Sequence, residues 1–439
     1  MTRREFLQGA VGLGLAGMGI PGGASALEED LPALPDPRTC GIDHIVVVMM
    51  ENRSFDHLLG WVPGTEGRQA GLAYRDKTGG PCDTHDMGAA GNFQGCGWAD
   101  PSHNAAGGRK HVNGGAMDGF LQTDPTEPGD LFPIGYYTGA HLPFYAGAAA
   151  HFTICDHYFS GVLASTYPNR VYMHCGQTDR MSNTTEISSL PTLWDRLAQA
   201  GISGRYYFSD LPVIALMGPR HLAISRPFPE LARDAARGRL PAVSFVDPHF
   251  AIEPIGTSND DHPMADLRRG QAFMNRVYGI LSSSPQWEKT LLVINYDEWG
   301  GFFDHVPPPA APVSPEEAAI GNDGLLGIRV PCVLMGPKAR QGEVCSLQLD
   351  PNSILNFICW RFGLEPLGVR GKSSVNLAYA LDLESPPRLE APAFNVPPAP
   401  MNTLCLASLS EKASAAAQKH LEEQKELRSL AKRLGFSVD

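Results

Sequence analysis

Two apolar runs constrain the fold of this chain more than any other feature: Ile45-Val46-Val47-Val48-Met49-Met50 and, far downstream, Leu291-Leu292-Val293-Ile294-Asn295-Tyr296. Both are short, rich in β-branched residues and without polar alternation, the pattern of strands buried on two faces. Strands of that kind need helices on each side, which predicts an α/β fold with a largely parallel sheet. Each run stops on oxygen donors, Glu51 and Asn52 after the first, Asp297 and Glu298 after the second. Open parallel sheets place function just beyond the carboxyl ends of their strands. If the two strands lie close together, three carboxylates and an amide oxygen converge there, and such a set calls for a hard cation to offset its charge.

The rest of the chain alternates strand and helix signals. Strands are expected at Phe152–Cys155, Ser203–Phe208, Ala242–Val246 and Val330–Met335, and helices at Leu142–His151, Leu190–Ala200, Met264–Ser282 and Ser353–Phe362. The stretch from Gly60 to Gly115 is rich in Gly, Asp, His and Asn with little periodicity, and reads as a long functional loop. Residues 41–384 form the expected catalytic domain. Beyond them, 385–402 is Pro-rich and extended, and 408–435 is a charged helix that packs on the surface or extends from it.

A net charge of −12 disfavours nonspecific nucleic-acid binding, and no basic membrane-docking patch is visible in the sequence. The start of the chain reads as a leader: Thr2-Arg3-Arg4-Glu5-Phe6-Leu7, a mildly apolar Gly-rich segment from Gly9 to Ile20, then Ala24-Ser25-Ala26. The pattern resembles a twin-arginine export signal over residues 1–26, with 27–40 as an acidic, Pro-rich linker. It predicts the twin-arginine export machinery as a partner, a periplasmic or secreted location and no transmembrane segment in the mature protein. None of the nine cysteines shows zinc-like spacing. Cys332 and Cys359 lie in apolar runs as expected buried thiols, and Cys82–Cys96 is a candidate disulfide across the Gly-rich loop.

Thr166-Tyr167-Pro168-Asn169-Arg170 has a positional meaning. Pro168 pre-sets the first turn of a helix, which would put Thr166 beside a helix N-terminus where anions are favoured. Taken together, Glu51-Asn52-Arg53-Ser54-Phe55-Asp56, Met117-Asp118-Gly119-Phe120, Thr166-Tyr167-Pro168-Asn169-Arg170, Asp261-His262-Pro263, Asp297-Glu298-Trp299-Gly300-Gly301-Phe302-Phe303-Asp304-His305-Val306 and Arg329-Val330-Pro331 occur in order. The set resembles the bacterial phosphoesterase family of non-haemolytic-type phospholipases C and the related acid phosphatase, over about residues 40–365.

That resemblance implies an alkaline-phosphatase-like α/β/α sandwich, one divalent metal ion and hydrolysis of phosphoric esters, with a phospholipid as the favoured substrate and a phosphomonoester as the alternative. It implies Glu51, Asn52, Asp297 and Glu298 as metal ligands, Thr166 as a transiently phosphorylated nucleophile, and His262 and His103 at the phosphate. His305 and Arg170 are candidates for phosphate contact or for loop support. The chemistry agrees, since an alcohol needs a cation or a base to become nucleophilic at neutral pH. The same segment has the outline of a sulfatase signature, but Thr166 could be oxidised only to a ketone, which disfavours that reading. A non-catalytic exported binding protein is the alternative from another class. Asp350-Pro351-Asn352-Ser353 departs from the Asp-His-Thr-Ser that relatives often carry, and substrate choice is expected in the Gly60–Gly115 loops and the 200–260 region.

Overall fold

The computed structural model describes residues 31–250, 256–401 and 411–438. The export-signal reading of residues 1–26 lies outside that range, as does the linker up to residue 30. One sheet has eight strands: β1 (His44–Met50), β2 (Thr153–Cys155), β3 (Gly204–Phe208), β4 (Ser225–Pro227), β5 (Val243–Val246), β6 (Thr290–Tyr296), β7 (Cys332–Met335) and β8 (Val344–Cys345). Their order is β8-β2-β7-β6-β1-β5-β3-β4, all parallel except β7, which runs antiparallel to both its neighbours.

The two apolar runs are central and adjacent. β1 and β6 pair in parallel from His44↔Thr290 to Met50↔Tyr296. One step further, that register sets Glu51 beside Asp297. Every residue of β6 is buried, and every residue of β1 except His44, so both faces of the sheet centre are covered.

The cover comes from helices that fall into separate packing groups. Named in chain order, the main helices are α1 (Ala105–Val112), α2 (Pro143–His151), α3 (Thr166–Cys175), α4 (Leu267–Ser282), α5 (Pro351–Phe362) and α6 (Glu411–Leu434). α2 packs on α4, and α3 on α5, giving the α/β/α sandwich. α4 shows why its sequence is helical: Leu267, Gly270, Gln271, Met274, Val277, Tyr278 and Leu281 are buried along one stripe, and Asp266 caps its start. At α5 the Asp350–Ser353 departure has a structural use. Asp350 and Ser353 form a capping box, with Asp350 Oδ1 accepting from Ser353 N at 3.1 Å.

Two expectations are corrected. The Gly60–Gly115 stretch is not one long loop: it holds an antiparallel hairpin, Ala73–Arg75 with Pro81–Asp83, and helix α1. Helix α1 escapes a periodicity search because it is built from small residues. A Cβ on Gly108 would stand 2.8 Å from Leu163 and 2.9 Å from Trp299, so close packing replaces an apolar stripe. The Cys82–Cys96 pairing does not form either. Cys82 is a free thiol on the hairpin with its Sγ turned to Gly80 O, whereas Cys96 is disulfide-bonded elsewhere. Cys332 and Cys359 are buried free thiols, as expected.

The tail packs onto the body. Phe394 of the extended segment stacks on Tyr278 of α4, centroids 5.0 Å apart, and α6 buries Leu427, Leu430 and Ala431 in the main core. Among the described residues, no helix is long and apolar enough to cross a membrane.

Candidate active site

The carboxyl ends of β1 and β6 and the N-terminus of α3 meet at one place. Thr166 is the first residue of α3, preceded by the extended Ser165, whose side chain makes no capping hydrogen bond, and is buried at 3% exposure. Its Oγ1 donates to Glu51 Oε1 at 3.0 Å and lies 3.5 Å from Asn52 Oδ1. Asn52 adopts the left-handed conformation (φ 62°), which few residues other than Gly tolerate and which Asn accepts more readily than most. Gly300 makes that bend possible. With φ +64° it lies against the Asn52 backbone so closely that a Cβ would stand 2.0 Å from Asn52 O.

Asp297 locks the two strand ends together. Its Oδ1 accepts from Asn52 N at 3.1 Å and from Glu298 N at 2.7 Å, and its Oδ2 from Arg170 Nε at 3.0 Å. Glu298 Oε2 accepts from Gly300 N at 2.7 Å, while the buried Glu298 Oε1 has no hydrogen-bond partner among the described residues. Burial first, and Asp297 second, push the carboxyls of Glu51 and Glu298 well above their usual range.

Arg170 is turned inwards, under the site. Its guanidinium contacts Asp297, Asp247 (3.3 Å) and Glu51 (3.6 Å), donates to the Met49 and Met50 carbonyls at 3.2 and 3.1 Å, and lies over the Phe250 ring. Although burial opposes its charge, Asp297, Asp247 and Glu51 raise its pKa further. Every guanidinium nitrogen therefore has protein partners, and of the two roles expected for Arg170 this geometry fits loop support. His305 behaves alike: its Nδ1 is 2.5 Å from Asp56 Oδ2, beside the buried Arg329–Asp304 pair at 3.0 Å.

The histidines expected at the phosphate form a second group with Asp100. His103 Nε2 is 3.9 Å from Glu298 Oε1, and its Nδ1 3.9 Å from Asp100 Oδ1. His262 Nε2 is 3.7 Å from Asp100 Oδ2, and the two imidazoles meet edge to face at 6.0 Å. Arg53 fixes the backbone here, donating to Asp261 O at 2.6 Å and His262 O at 3.2 Å. Asp261 is itself left-handed (φ 76°) and accepts from Tyr296 Oη at 2.5 Å. Burial lowers His103 to about 4 and His262 well below its usual range, and raises Asp100 to about 7.

Sequence reasoning missed Asp100, Asp247 and His420. Asp100 stood in the Asp100-Pro101-Ser102-His103 stretch with nothing to mark it, and His420 lies in a charged helix whose docking no local pattern announces. His420 stacks on His262, centroids 4.5 Å apart at 23°.

The donors suit a divalent cation at the strand ends. Glu51, Asn52 and Glu298 offer oxygens around Thr166, and among the described residues Glu298 Oε1 lacks the hydrogen-bond donor that a buried carboxylate oxygen normally finds. Asp297 differs, since both its oxygens already accept from the protein. Among the described residues, the His/Cys/Asp/Glu groups with ligand atoms all within 4.8 Å are Asp100–His103–His262 and Asp56–Asp304–His305, so Glu51, Asp297 and Glu298 do not make such a triplet by themselves. In the second group Arg329 already supplies the positive charge.

Buried acids, an amide and a helix-terminal hydroxyl thus meet at the strand ends of an α/β/α sandwich. The phosphoesterase family model matches residues 42–365, and the chain belongs to that family. Non-specific phospholipase C1 of Arabidopsis thaliana is 34% identical over 69% of this chain and 62% of its own length. Phospholipase C A of Mycobacterium tuberculosis is 31% identical over 90% of this chain and 88% of its own. The chain thus spans less than two thirds of the plant relative. Among solved structures, the phosphonate monoester hydrolase of Agrobacterium radiobacter aligns over 78% of each chain at 11% identity, with a TM-score of 0.37.

Proposed function

We propose that this protein is an exported, metal-dependent phosphoesterase that acts as a phospholipase C, cleaving headgroup phosphodiesters of phospholipids through a phospho-threonine at Thr166. The observation that carries this is the 3.0 Å hydrogen bond from Thr166 Oγ1 to Glu51 Oε1 at the first turn of α3. The relatives named phospholipase C favour the lipid diester over a phosphomonoester. The leader pattern at residues 1–26 supports export by the twin-arginine route to the periplasm or beyond.

Glu51 orients the Thr166 hydroxyl through its 3.0 Å hydrogen bond, and a cation bound beside it would lower the hydroxyl's pKa so that its proton passes to water. The Thr166 oxygen then forms a bond to phosphorus as the bond to the glycerol oxygen breaks in line. A divalent cation held by Glu51, Asn52 and Glu298, with Asp297 fixing their positions, would neutralise charge on the phosphoryl oxygens. His262 and His103, gathered beside Asp100, are the groups placed to protonate the leaving alkoxide. Water then hydrolyses the phospho-threonine.

The test is hydrolysis of phosphatidylcholine, p-nitrophenyl phosphate and bis-p-nitrophenyl phosphate by the purified protein, with and without chelator. Release of diacylglycerol that stops with chelator is expected. Turnover of the monoester alone would point to the acid phosphatase reading, and no hydrolysis with any divalent metal would leave a binding protein. Thr166→Ala should abolish turnover with metal binding near normal, and wild-type turnover in that variant would remove Thr166 from the reaction.

A further inference from the structure

The family match ends at residue 365, yet helix α6 (Glu411–Leu434), beyond that match, reaches the active site. Its inner stripe runs His420, Glu423, Gln424, Leu427, Leu430 and Ala431, the i, i+3, i+4 spacing of one helix face. The stripe changes character along its length. Leu427, Leu430 and Ala431, at 2%, 3% and 0% exposure, anchor the helix in the core. The polar half then passes over the elements that build the site.

Each polar contact lands on a site element. Tyr167 Oη, next to Thr166, donates to Glu423 O at 3.2 Å. Asn183 Nδ2 donates to Glu423 Oε2 at 2.9 Å, while Asn183 Oδ1 accepts from Tyr167 N at 2.8 Å, so one amide ties α6 to the first turn of α3. Gln424 Nε2 donates to Phe250 O at 3.0 Å, and the Phe250 ring lies under Arg170. His420 ends this series with its ring parallel to His262 at 4.5 Å.

We infer that α6 is a wall of the active site and that His420 is a positioning residue, its ring holding His262 against Asp100 for the reaction at Thr166. The inference rests on the phosphoesterase reading for its kinetic consequence, and on the stacked pair alone for its structural one. Arg53 holds the His262 backbone, Asp100 lies 3.7 Å from its Nε2, and the stacked His420 ring adds a contact on the face of the imidazole. Losing that restraint misplaces the imidazole without removing any group from the catalytic set.

The experiment compares His420→Ala and His420→Phe with wild type in the full chain. Steady-state kinetics on bis-p-nitrophenyl phosphate, thermal unfolding and the ring proton signals of His262 would be measured together. His420→Ala should lower kcat by about tenfold or more, with KM changed by less than about threefold and Tm by less than about 2 °C. His420→Phe, which stacks but cannot ionise, should recover most of kcat. Unchanged kcat in His420→Ala overturns the inference, as does a loss that follows Tm or one that Phe does not recover. Should the wild type hydrolyse no ester, the His262 ring signals still decide. They should shift when His420 becomes Ala, through loss of the stacked ring current, and an unmoved signal overturns the inference on its own.

Discussion

Replacing Arg170 by Met tests the reading of the site floor. Arg170 is fully buried and pairs with Asp297, Asp247 and Glu51, three carboxyls that are buried with it. Removing one member of a buried ion pair costs about 3–5 kcal/mol, because the other is left uncompensated. Met keeps much of the volume, so the loss at neutral pH should fall in that range rather than reflect a cavity. The pH dependence follows from the remaining groups. Burial already lifts Asp247 to about 6 and raises Asp297 and Glu51 from their ordinary 3.8 and 4.5. Without Arg170 they rise further, so the folded state keeps protons that the unfolded state has released. Stability then falls as pH rises through that window and is regained as pH falls. Urea unfolding of both proteins should show a deficit of about 3–5 kcal/mol near pH 8 that shrinks at about pH 5. A deficit below about 1 kcal/mol at pH 8, or one equal at both pH values, would refute the argument. A phosphate-binding Arg would instead raise KM and leave stability nearly unchanged.

Two further predictions concern the surrounding frame. Gly300→Ala forces a side chain into a left-handed position 2.0 Å from Asn52 O and should cost about 1–3 kcal/mol or more, whereas Gly279→Ala, in α4 with open space around it, should stabilise by about 0.5–1 kcal/mol; equal effects in urea unfolding would contradict the close approach. His111 is neutral and buried, with Nδ1 accepting from Trp299 Nε1 at 3.1 Å and Nε2 3.0 Å from Thr123 Oγ1, and burial lowers it to about 3. The unfolded chain therefore takes up a proton first as pH drops below 6.5, and stability declines from there towards pH 3. NMR should show a neutral His111 ring down to about pH 4, and a titration near 6.5 would exclude the buried tautomer.

The sequence by itself determined the layered architecture, because two short β-branched runs without polar alternation fit strands inside a sheet covered on both faces. It also marked the oxygen donors at their ends and, through Pro168, the helix that starts at Thr166, since strand termini and first-turn residues carry local signals. Tertiary structure decided what those donors do. Asp297, alike in sequence to Glu51 and Glu298, is turned onto backbone N–H groups and Arg170, because the β1–β6 register sets the strand ends side by side. Arg170 went under the site rather than into it for the same reason. Asp100 and His420 could not be read at all: one sits among loops without periodicity, the other on a charged helix, and only docking brings them to His262. Helix α1 was hidden because close packing of Gly and Ala leaves no apolar stripe to detect.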